Sequence, residues 1–274
     1  RSNIVGSAIS KRLTQLEETV GTPLLMRKRH GVAPTEAGQA LLEHARSMLA
    51  SAARIERDMG AFAAGVRGQV RILASASALA ESLADDVAAF LKHPKHHNIQ
   101  VDLEERVSPD IVRGIREGVA SLGVCWDAAE IGNLQSRPYR SDHLTMVVPQ
   151  KHPLASRKKL RFEETLDWEH VSLPVNSAVQ VLIHRAAAQM GRPIRQRVVV
   201  TNFEAALRVV RAGLAISLVP REVAEIYAQA YSLKIVPLAE PWAERRFIVI
   251  YRDADSLSAA AQLLADHLAS HHKT

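Results

Sequence analysis

The stretch from Ser7 to Gly38 constrains the fold most, because it combines a helix end, a turn, a basic hairpin and a second helix start. Its first part repeats apolar residues at helical spacing, which predicts one buried side of a helix: Ile9, Leu13, Leu16 and Val20. Gly21 then favours a left-handed helix stop, and Pro23 prevents the helix from resuming. The polar and basic residues lie opposite or beside the apolar side: Ser7, Ser10, Lys11, Arg12, Thr14 and Glu18.

The same stretch has the features that a winged helix-turn-helix needs. Four consecutive basic or histidine residues precede Gly31 in the hairpin: Arg27, Lys28, Arg29 and His30. The helix would offer short polar side chains to base edges in the major groove, and the hairpin would place positive charge on phosphates. An ordinary amphipathic helix with a solvated basic loop is the alternative, and the pattern alone favours neither.

The distribution of charge bears on this choice. The chain has a formal net charge of +6 at pH 7. Residues 1–35 contain six lysines and arginines but only two glutamates, so most of the excess lies in the first eighth of the chain. This asymmetry favours a localised contact with a polyanion over general basicity.

A long helix is predicted from Thr35, a suitable N-cap residue, to about residue 64. Its apolar residues are spaced alternately by four and three positions: Leu41, Ala45, Met48, Ala52, Ile55, Met59 and Phe62. This heptad seam predicts that two copies of the chain pair along the helix. A helix packed on its own domain is the alternative. A hinge and domain boundary is predicted where glycines surround Arg67: Gly60, Gly65 and Gly68.

The remainder of the chain alternates short apolar strands with amphipathic helices. Strands are predicted at about 70–74, 99–104, 121–125, 144–148, 170–173, 197–200, 215–219, 233–237 and 247–251. Helices are predicted at about 78–92, 109–118, 178–190, 203–212, 221–229 and 256–270. Such alternation implies parallel sheets with right-handed crossovers, and hence an α/β fold. Polar stretches near 138–143 and 239–246 would connect two lobes twice, and the polar residues 133–142 are predicted to precede the fourth strand.

The cysteine content and hydropathy bear on the compartment. Cys125 is the single cysteine and lies in an apolar strand, so it is predicted to be a core residue without an internal disulfide partner. No apolar run has the length needed to span a bilayer, and no membrane partner is expected. The expected location is the cytoplasm.

The N-terminal motifs resemble those of LysR-type transcriptional regulators. The resemblance rests on AISKRL at 8–13, LEE at 16–18, VG at 20–21, LL at 24–25, Arg27, GV at 31–32 and TEAG at 35–38. The chain departs from the family at Ser7, where proline is usual, and at Gly6, where a polar residue is usual. Family members begin with a further helix before the recognition helix, so a segment preceding Arg1 is expected to be absent from the sequence.

The resemblance implies an α/β chain with an N-terminal all-α winged helix. Three parts are expected: a winged helix-turn-helix at 1–35, a linker and dimerisation helix at 36–64, and an effector-binding domain at 69–274. The last would have the two-lobed fold of periplasmic binding proteins. Lobe I would comprise about 69–143 and 247–274, and lobe II about 144–246.

The resemblance also implies a function. The chain is expected to be a transcriptional regulator that binds double-stranded DNA and responds to a small effector, such as a carboxylate or an aromatic metabolite, held between the lobes. A homodimer and a homotetramer are the family's habit, and RNA polymerase is a candidate partner. The alternative is a solute-binding protein without a DNA-binding role, which would leave the heptad helix and basic hairpin unexplained.

Effector positions in the family lie at strand ends and helix N-termini facing the cleft. Carried onto this chain, they are Ser75, Ser77, Val107, Ser108, Val175, Asn176, Ser177, Thr201, Asn202 and Phe203. Free amides and a hydroxyl at such ends attract a carboxylate. Two of these residues also fit as helix caps, because Pro109 follows Ser108 and Glu204 stands three residues after Thr201. No arginine stands at these positions, so a fairly apolar pocket is expected.

Motifs for catalysis are absent from the sequence. There is no glycine-rich phosphate loop, no His-Glu-x-x-His and no Gly-x-Ser-x-Gly elbow, so neither an enzyme nor a cofactor is expected. His93, His96 and His97 cluster with Lys95, and a surface loop is favoured there over a metal site.

Overall fold

The computed structural model describes residues 6–28, 31–63 and 68–271. The chain divides into two units between Arg57 and Asp58. The first unit contains helix α1 (Gly6–Val20), an antiparallel hairpin of β1 (Leu25–Lys28) and β2 (Gly31–Pro34), and the beginning of helix α2 (Glu36–Ala63). The predicted helix, hairpin and long helix are therefore confirmed, whereas Arg29, His30, Gly65 and Arg67 lie outside the described residues.

The loop between α1 and the hairpin is fixed to α1 by Glu17. Gly21 ends the helix with φ +75°, and its N–H donates to the Glu17 carbonyl at 2.8 Å. The Glu17 carboxylate accepts from the backbone N–H of Leu24 at 2.7 Å and of Leu25 at 3.1 Å. One side chain of α1 therefore sets where the hairpin begins.

The start of α2 fastens the same loop from the other side. Thr35 Oγ1 accepts from the N–H of Gly38 at 3.0 Å, which confirms Thr35 as the N-cap. The same hydroxyl donates to the carbonyl of Pro23 at 2.7 Å. A Cβ on Gly38 would lie 1.9 Å from the Leu24 carbonyl oxygen, so only glycine permits this approach.

The predicted burial of one side of α1 is wrong in the described structure. Ile9, Leu16 and Val20 are 47%, 43% and 45% exposed, and Leu13 is half-buried. Burial requires a second apolar element to pack against. Among the described residues of the first unit, none covers this side of the helix.

The second unit begins with the end of α2 and contains the α/β part of the chain. Its strands are β3 (Gly68–Ala74), β4 (Ile99–Glu105), β5 (Leu122–Trp126), β6 (Gln135–Pro149), β7 (Glu169–Ser172), β8 (Arg195–Val199), β9 (Ser217–Pro220), β10 (Leu233–Pro237) and β11 (Glu244–Tyr251). Its helices are α3 (Ala76–Ala78), α4 (Ala84–Lys92), α5 (Ser108–Arg116), α6 (Ala178–Gln189), α7 (Phe203–Arg211), α8 (Arg221–Ala228) and α9 (Ala259–Ala269). A π-helical turn, Leu79–Leu83, joins α3 to α4.

The strands pair in the order β10-β6-β11-β5-β3-β4, with β9 also on β6, and β7 and β8 form a separate pair. The β3–β4, β3–β5 and β7–β8 pairs are parallel, as predicted. The pairs that include β6 or β11 are antiparallel, so the expectation of parallel sheets throughout is wrong. The order of elements along the chain does not determine which strands become neighbours.

Strand β6 is longer than predicted. It begins at Gln135, within the polar stretch 133–142 that was expected to lie before the strand. The polar residues are accommodated because His143 and Asp142 pair with Glu244 and Arg245 on the antiparallel β11. The two predicted connections between lobes are therefore paired strands.

Strands β6 and β11 cross between the two lobes, and the second unit has separate apolar cores on the two sides of this crossing. One core contains buried residues between Leu144 and Ala243 and includes α6, α7 and α8. Two others combine residues of 70–139 with residues of 247–268, on opposite faces of the β3–β5–β11 sheet. We call the part built on 68–143 and 247–271 lobe I, and the part built on 144–246 lobe II. Cys125 is buried in lobe I, as predicted, and burial raises the pKa of its thiol to about 12.

Neither a membrane-spanning helix nor a metal-binding cluster is found among the described residues. No helix among them is both long enough and apolar enough to cross a bilayer. His96 stacks on Phe90 with ring centroids 3.9 Å apart, and His93 is 5.0 Å from His96. Within residues 6–28, 31–63 and 68–271, no group of three or more histidine, cysteine or acidic side chains is arranged to hold a metal ion.

Candidate functional site

The polar face of α1 is open to solvent. Ser10, Lys11, Arg12 and Thr14 are exposed, and the Thr14 hydroxyl donates to the carbonyl of Ser10 at 3.1 Å. Over the described stretches of chain, neither Lys11 nor Arg12 forms an ion pair. Two uncompensated cations beside short hydroxyl side chains can meet a polyanion without first breaking an internal contact.

The hairpin carries a further exposed cation. Lys28 stands at the end of β1, opposite Gly31 in the antiparallel register. Of the other predicted DNA contacts, Ser7 and Arg27 have side chains outside the described part, and Arg29 and His30 are outside it entirely. The described portion of the predicted surface therefore comprises Ser10, Lys11, Arg12, Thr14 and Lys28.

The heptad seam of α2 is also exposed within a single chain. Met48, Ile55 and Met59 are 73%, 63% and 57% exposed, and Leu49 beside them is 71% exposed. Leu41 is half-buried, and Ala45 and Ala52 are exposed. A straight apolar stripe of this kind on a soluble helix marks an association surface.

A cavity of about 70 Å³ lies between the lobes of the second unit. Its lobe I side is formed by the ends of β3 and β4 and the helix starts that follow them. Its lobe II side is formed by the segments before α6 and α7. It is lined by the predicted positions Ser75, Ser77, Val107, Ser108, Asn176, Ser177, Thr201 and Phe203.

Two of the predicted positions lie elsewhere. Val175 is 69% exposed and does not line the cavity. Asn202 lines a neighbouring cavity, because its side chain is used as a helix cap. Its Oδ1 accepts from the Ala205 N–H at 2.9 Å, so Asn202 is the N-cap of α7, and the predicted capping role of Thr201 is wrong. Thr201 is thereby free to face the cavity.

Two lining serines do act as caps. Ser75 Oγ accepts from the Ala78 N–H at 3.4 Å, and Ser177 Oγ accepts from the Gln180 N–H at 3.3 Å. Each hydroxyl retains its proton for another partner.

Ser108 is not the N-cap of α5, although the sequence fits that role. Val107 occupies the cap position of α5, and Ser108 is the first residue of the helix. The Ser108 Oγ is buried and forms no hydrogen bond among the described residues. Because an unpaired buried hydroxyl costs free energy, this side chain is suited to a polar partner in the cavity.

Sequence reasoning missed two charged residues of the cavity, Glu105 and Arg106, which directly precede the predicted Val107. The lining therefore includes an arginine, although none stands at the positions carried over from the family. The Arg106 guanidinium pairs with Glu104 and donates to the Glu105 carbonyl at 3.0 Å. The sequence feature that could have identified them is the run of consecutive charged residues at the end of β4.

A buried ion pair joins the two strands that cross between the lobes. Arg245 on β11 and Asp142 on β6 are cross-strand neighbours, and both side chains are fully buried. Arg245 Nε donates to Asp142 Oδ1 at 2.8 Å, and its Nη2 pairs with Asp142 Oδ2. The remaining Nη1 is buried and has no hydrogen-bond partner within the described chain. A desolvated bidentate contact thus adds to the backbone pairing of β6 and β11 between the lobes.

Glu81, in the π-helical turn, lies in the field of this pair. The pKa of Glu81 is raised from 4.5 to about 9, first by burial and then by the carboxylates of Asp142 and Glu222, against the opposing effect of Arg245 and Arg140. The next residue, Ser82, donates to Glu222 Oε2 at 2.8 Å, which links lobe I to α8 of lobe II. Glu81 is therefore protonated at neutral pH when the lobes pack as observed.

We expect Glu81→Gln to stabilise the protein by at least about 1 kcal/mol at pH 8 and much less at pH 4.5. Above pH 4.5 the unfolded chain releases the Glu81 proton while the folded chain keeps it up to about pH 9, so the wild type loses stability as pH rises through this window. Urea unfolding at both pH values measures the effect. The exposed Glu130→Gln serves as control, and an equal stability difference at the two pH values would contradict the assignment.

Family models match both units of the chain. One, described as the LysR substrate binding domain, matches residues 63–273. The other, described as a bacterial regulatory helix-turn-helix protein of the lysR family, matches residues 1–39. The HTH-type transcriptional regulator YfeR of Shigella flexneri is 26% identical over 268 residues, which cover 97% of this chain and 85% of that protein.

Solved structures match the fold at lower identity. Full-length CbnR in complex with its target DNA has a TM-score of 0.66 at 21% identity, covering 98% of this chain and 91% of that one. The effector-binding domain of QuiR in complex with shikimate has a TM-score of 0.65 at 19% identity, covering 74% and 96% respectively. These matches confirm the predicted architecture of a winged helix-turn-helix, a long linker helix and a two-lobed periplasmic-binding-protein-like domain.

Proposed function

The chain belongs to the LysR family of transcriptional regulators, and on that premise we propose that it binds double-stranded DNA through the polar face of α1 and the β1–β2 hairpin. The observation that carries this assignment is that Lys11 and Arg12, beside Ser10 and Thr14, are exposed and form no ion pair with any residue that the structure describes. Side chains of this kind at the start of a recognition helix read base edges, while Lys28 on the hairpin contacts phosphate. Its place of action is then the cytoplasm, where the chromosome lies.

A small molecule bound between the lobes controls DNA binding in this proposal. Support comes from the Ser108 hydroxyl, which has no hydrogen-bond partner in the described part of the chain, and from the convergence of Ser75, Ser177 and Thr201 on one cavity. A carboxylate accepts hydrogen bonds from such hydroxyls and from the free amides of the helix starts. Because β6 and β11 cross between the lobes, a ligand that contacts both lobes changes their closure. QuiR, which shares the fold, is known in complex with shikimate.

The second copy of the chain is the proposed partner of the exposed α2 stripe. The stripe follows heptad spacing, and its alanines at positions 45 and 52 allow two helices to approach closely. A dimer places two recognition helices on two related half-sites of DNA. A tetramer remains a prediction from the family.

The double variant Met48→Asp/Ile55→Asp should weaken dimerisation at least about a hundredfold, since two apolar side chains would lose their burial and charges would enter the seam. Size-exclusion chromatography with light scattering over a dilution series measures this. Gln39→Asp, on the opposite side of α2, should leave the molar mass unchanged. A double variant with the wild-type mass at every concentration would exclude pairing through this stripe.

DNA binding itself is tested by fluorescence anisotropy with the full chain. Duplex fragments from upstream of its own coding sequence are compared with an equally long fragment from within a coding sequence. One upstream fragment should bind about a thousandfold more tightly than the coding fragment, and its affinity should fall steeply with salt. Equal affinity for all fragments would contradict a sequence-specific regulator.

A further inference from the structure

A second cavity adjoins the polar one between the lobes. Its volume is about 320 Å³, several times that of the polar cavity. Lobe I contributes Leu79 and Ala80 of the π-helical turn, and lobe II contributes Val223, Ile226 and Tyr227 of α8. We call this space the apolar compartment and the cavity around Ser108 the polar compartment.

The two compartments adjoin one another. Ala76, Glu105 and Phe203 line both of them. Phe203 is only 4% exposed and Ala76 packs against the lobe II core, so these two residues form an ordered apolar boundary. A ligand that occupies both compartments would lie across this boundary.

The side chains of the apolar compartment favour a hydrocarbon. Ile226 is 66% exposed, which is unusual for isoleucine on a helix whose neighbour Val223 is buried. A ligand tail that covers Ile226 and the face of Tyr227 gains free energy in proportion to the apolar area removed from water.

The charges at this compartment direct the polar end of a ligand away from it. The Glu204 carboxylate is paired with Arg208, whose guanidinium donates two hydrogen bonds to it at 3.0 and 2.6 Å. Glu105 lines both compartments, whereas Arg106 lines the polar compartment alone. Because opposite charges attract, an acid group is favoured on the side of the polar compartment that holds Arg106 and the Ser108 and Ser177 hydroxyls.

We propose that the cleft takes a two-part ligand, with an acid group in the polar compartment and an alkyl or aryl tail in the apolar compartment. This inference rests on the proposed effector site and adds the chemical class of its ligand. The tail also contacts both Leu79 of lobe I and Ile226 of lobe II, so its length sets how tightly the lobes close.

The test is isothermal titration of the full chain with butanoate, hexanoate, octanoate and 3-phenylpropanoate. The Kd should fall about fourfold for each added methylene until the compartment is filled. Ile226→Asp should abolish this dependence on chain length, so that butanoate and octanoate bind with similar Kd. Because Ile226 is exposed, the variant should fold, and thermal unfolding checks this.

Val181→Asp is the matched control, because Val181 is a 50% exposed apolar residue of lobe II that lines neither compartment. It should keep the wild-type dependence on chain length. The proposal is overturned if no acid binds, if the Kd does not change with chain length, or if Ile226→Asp retains the wild-type gradient. Specific DNA binding by the same preparation in the absence of acid would then leave the regulator assignment standing.

Discussion

Replacing Arg245 with methionine should lower the free energy of unfolding of the second unit by about 3–5 kcal/mol. The substitution leaves the Asp142 carboxylate fully buried and without the bidentate partner that now offsets part of its desolvation; burial already raises the pKa of Asp142 with Arg245 in place. Both side chains lie on β6 and β11, the strands that cross between the lobes. The substitution therefore destabilises the connection between the lobes. Urea unfolding followed by circular dichroism at pH 7 measures the change.

Two further variants separate the buried pair from a general effect of lost charge. Arg245→Met combined with Asp142→Leu removes both charges, and it should recover most of the lost stability. Arg246→Met, at the adjacent and 73% exposed side chain that pairs with Asp127, should cost less than about 1 kcal/mol. A single Arg245→Met variant as stable as Arg246→Met would show that the buried pair does not hold the crossing.

Removing positive charge from the hairpin and from α1 should have two distinguishable effects on DNA binding. Arg27→Ala/Lys28→Ala should weaken binding to every sequence and reduce the slope of log K against log salt by up to about 1.8, since each phosphate contact contributes about 0.9. Lys11→Ala or Ser10→Ala should instead weaken binding to the preferred fragment by about 5- to 150-fold, the range for a lost base contact. The non-specific affinity should change less.

Anisotropy titrations at several salt concentrations measure both effects. Lys158→Ala removes an exposed positive charge from the second unit and serves as the control, with no expected change in slope or preference. An unaltered salt slope in the hairpin variant would refute phosphate contact by the hairpin. Equal losses on preferred and coding fragments in the Lys11 variant would refute base reading by α1.

Local patterns predicted the elements of this fold well. The long helix followed from Thr35 and the heptad spacing, and the strand at 233–237 matches β10 because a short apolar run between polar turns is an unambiguous signal. The cleft positions came from the resemblance to LysR-type regulators, and eight of the ten line the cavity between the lobes. The sequence did not identify Asn202 as the N-cap of α7, because Thr201 and Asn202 are both good N-cap residues and only the backbone path decides between them.

Contacts between distant positions could not be predicted in this way. Arg245 and Asp142 are 103 residues apart, and nothing in either local sequence indicates that they pair. The same holds for Ser82 and Glu222, which depend on how the lobes pack. The exposed Ile9, Leu16 and Val20 illustrate the opposite failure, because periodicity identifies an apolar side but does not supply the surface that buries it.

The most direct test of the regulator is the affinity of the full chain for its preferred fragment, measured by anisotropy with and without small carboxylates and aromatics. The measurement is made in parallel on Thr201→Trp, which fills the polar compartment from an exposed position. At least one compound should change the Kd of the wild type for DNA by about 5- to 150-fold. Thr201→Trp should bind DNA normally in the absence of compound and lose this response. A response of equal size in both proteins would contradict control from the cleft between the lobes.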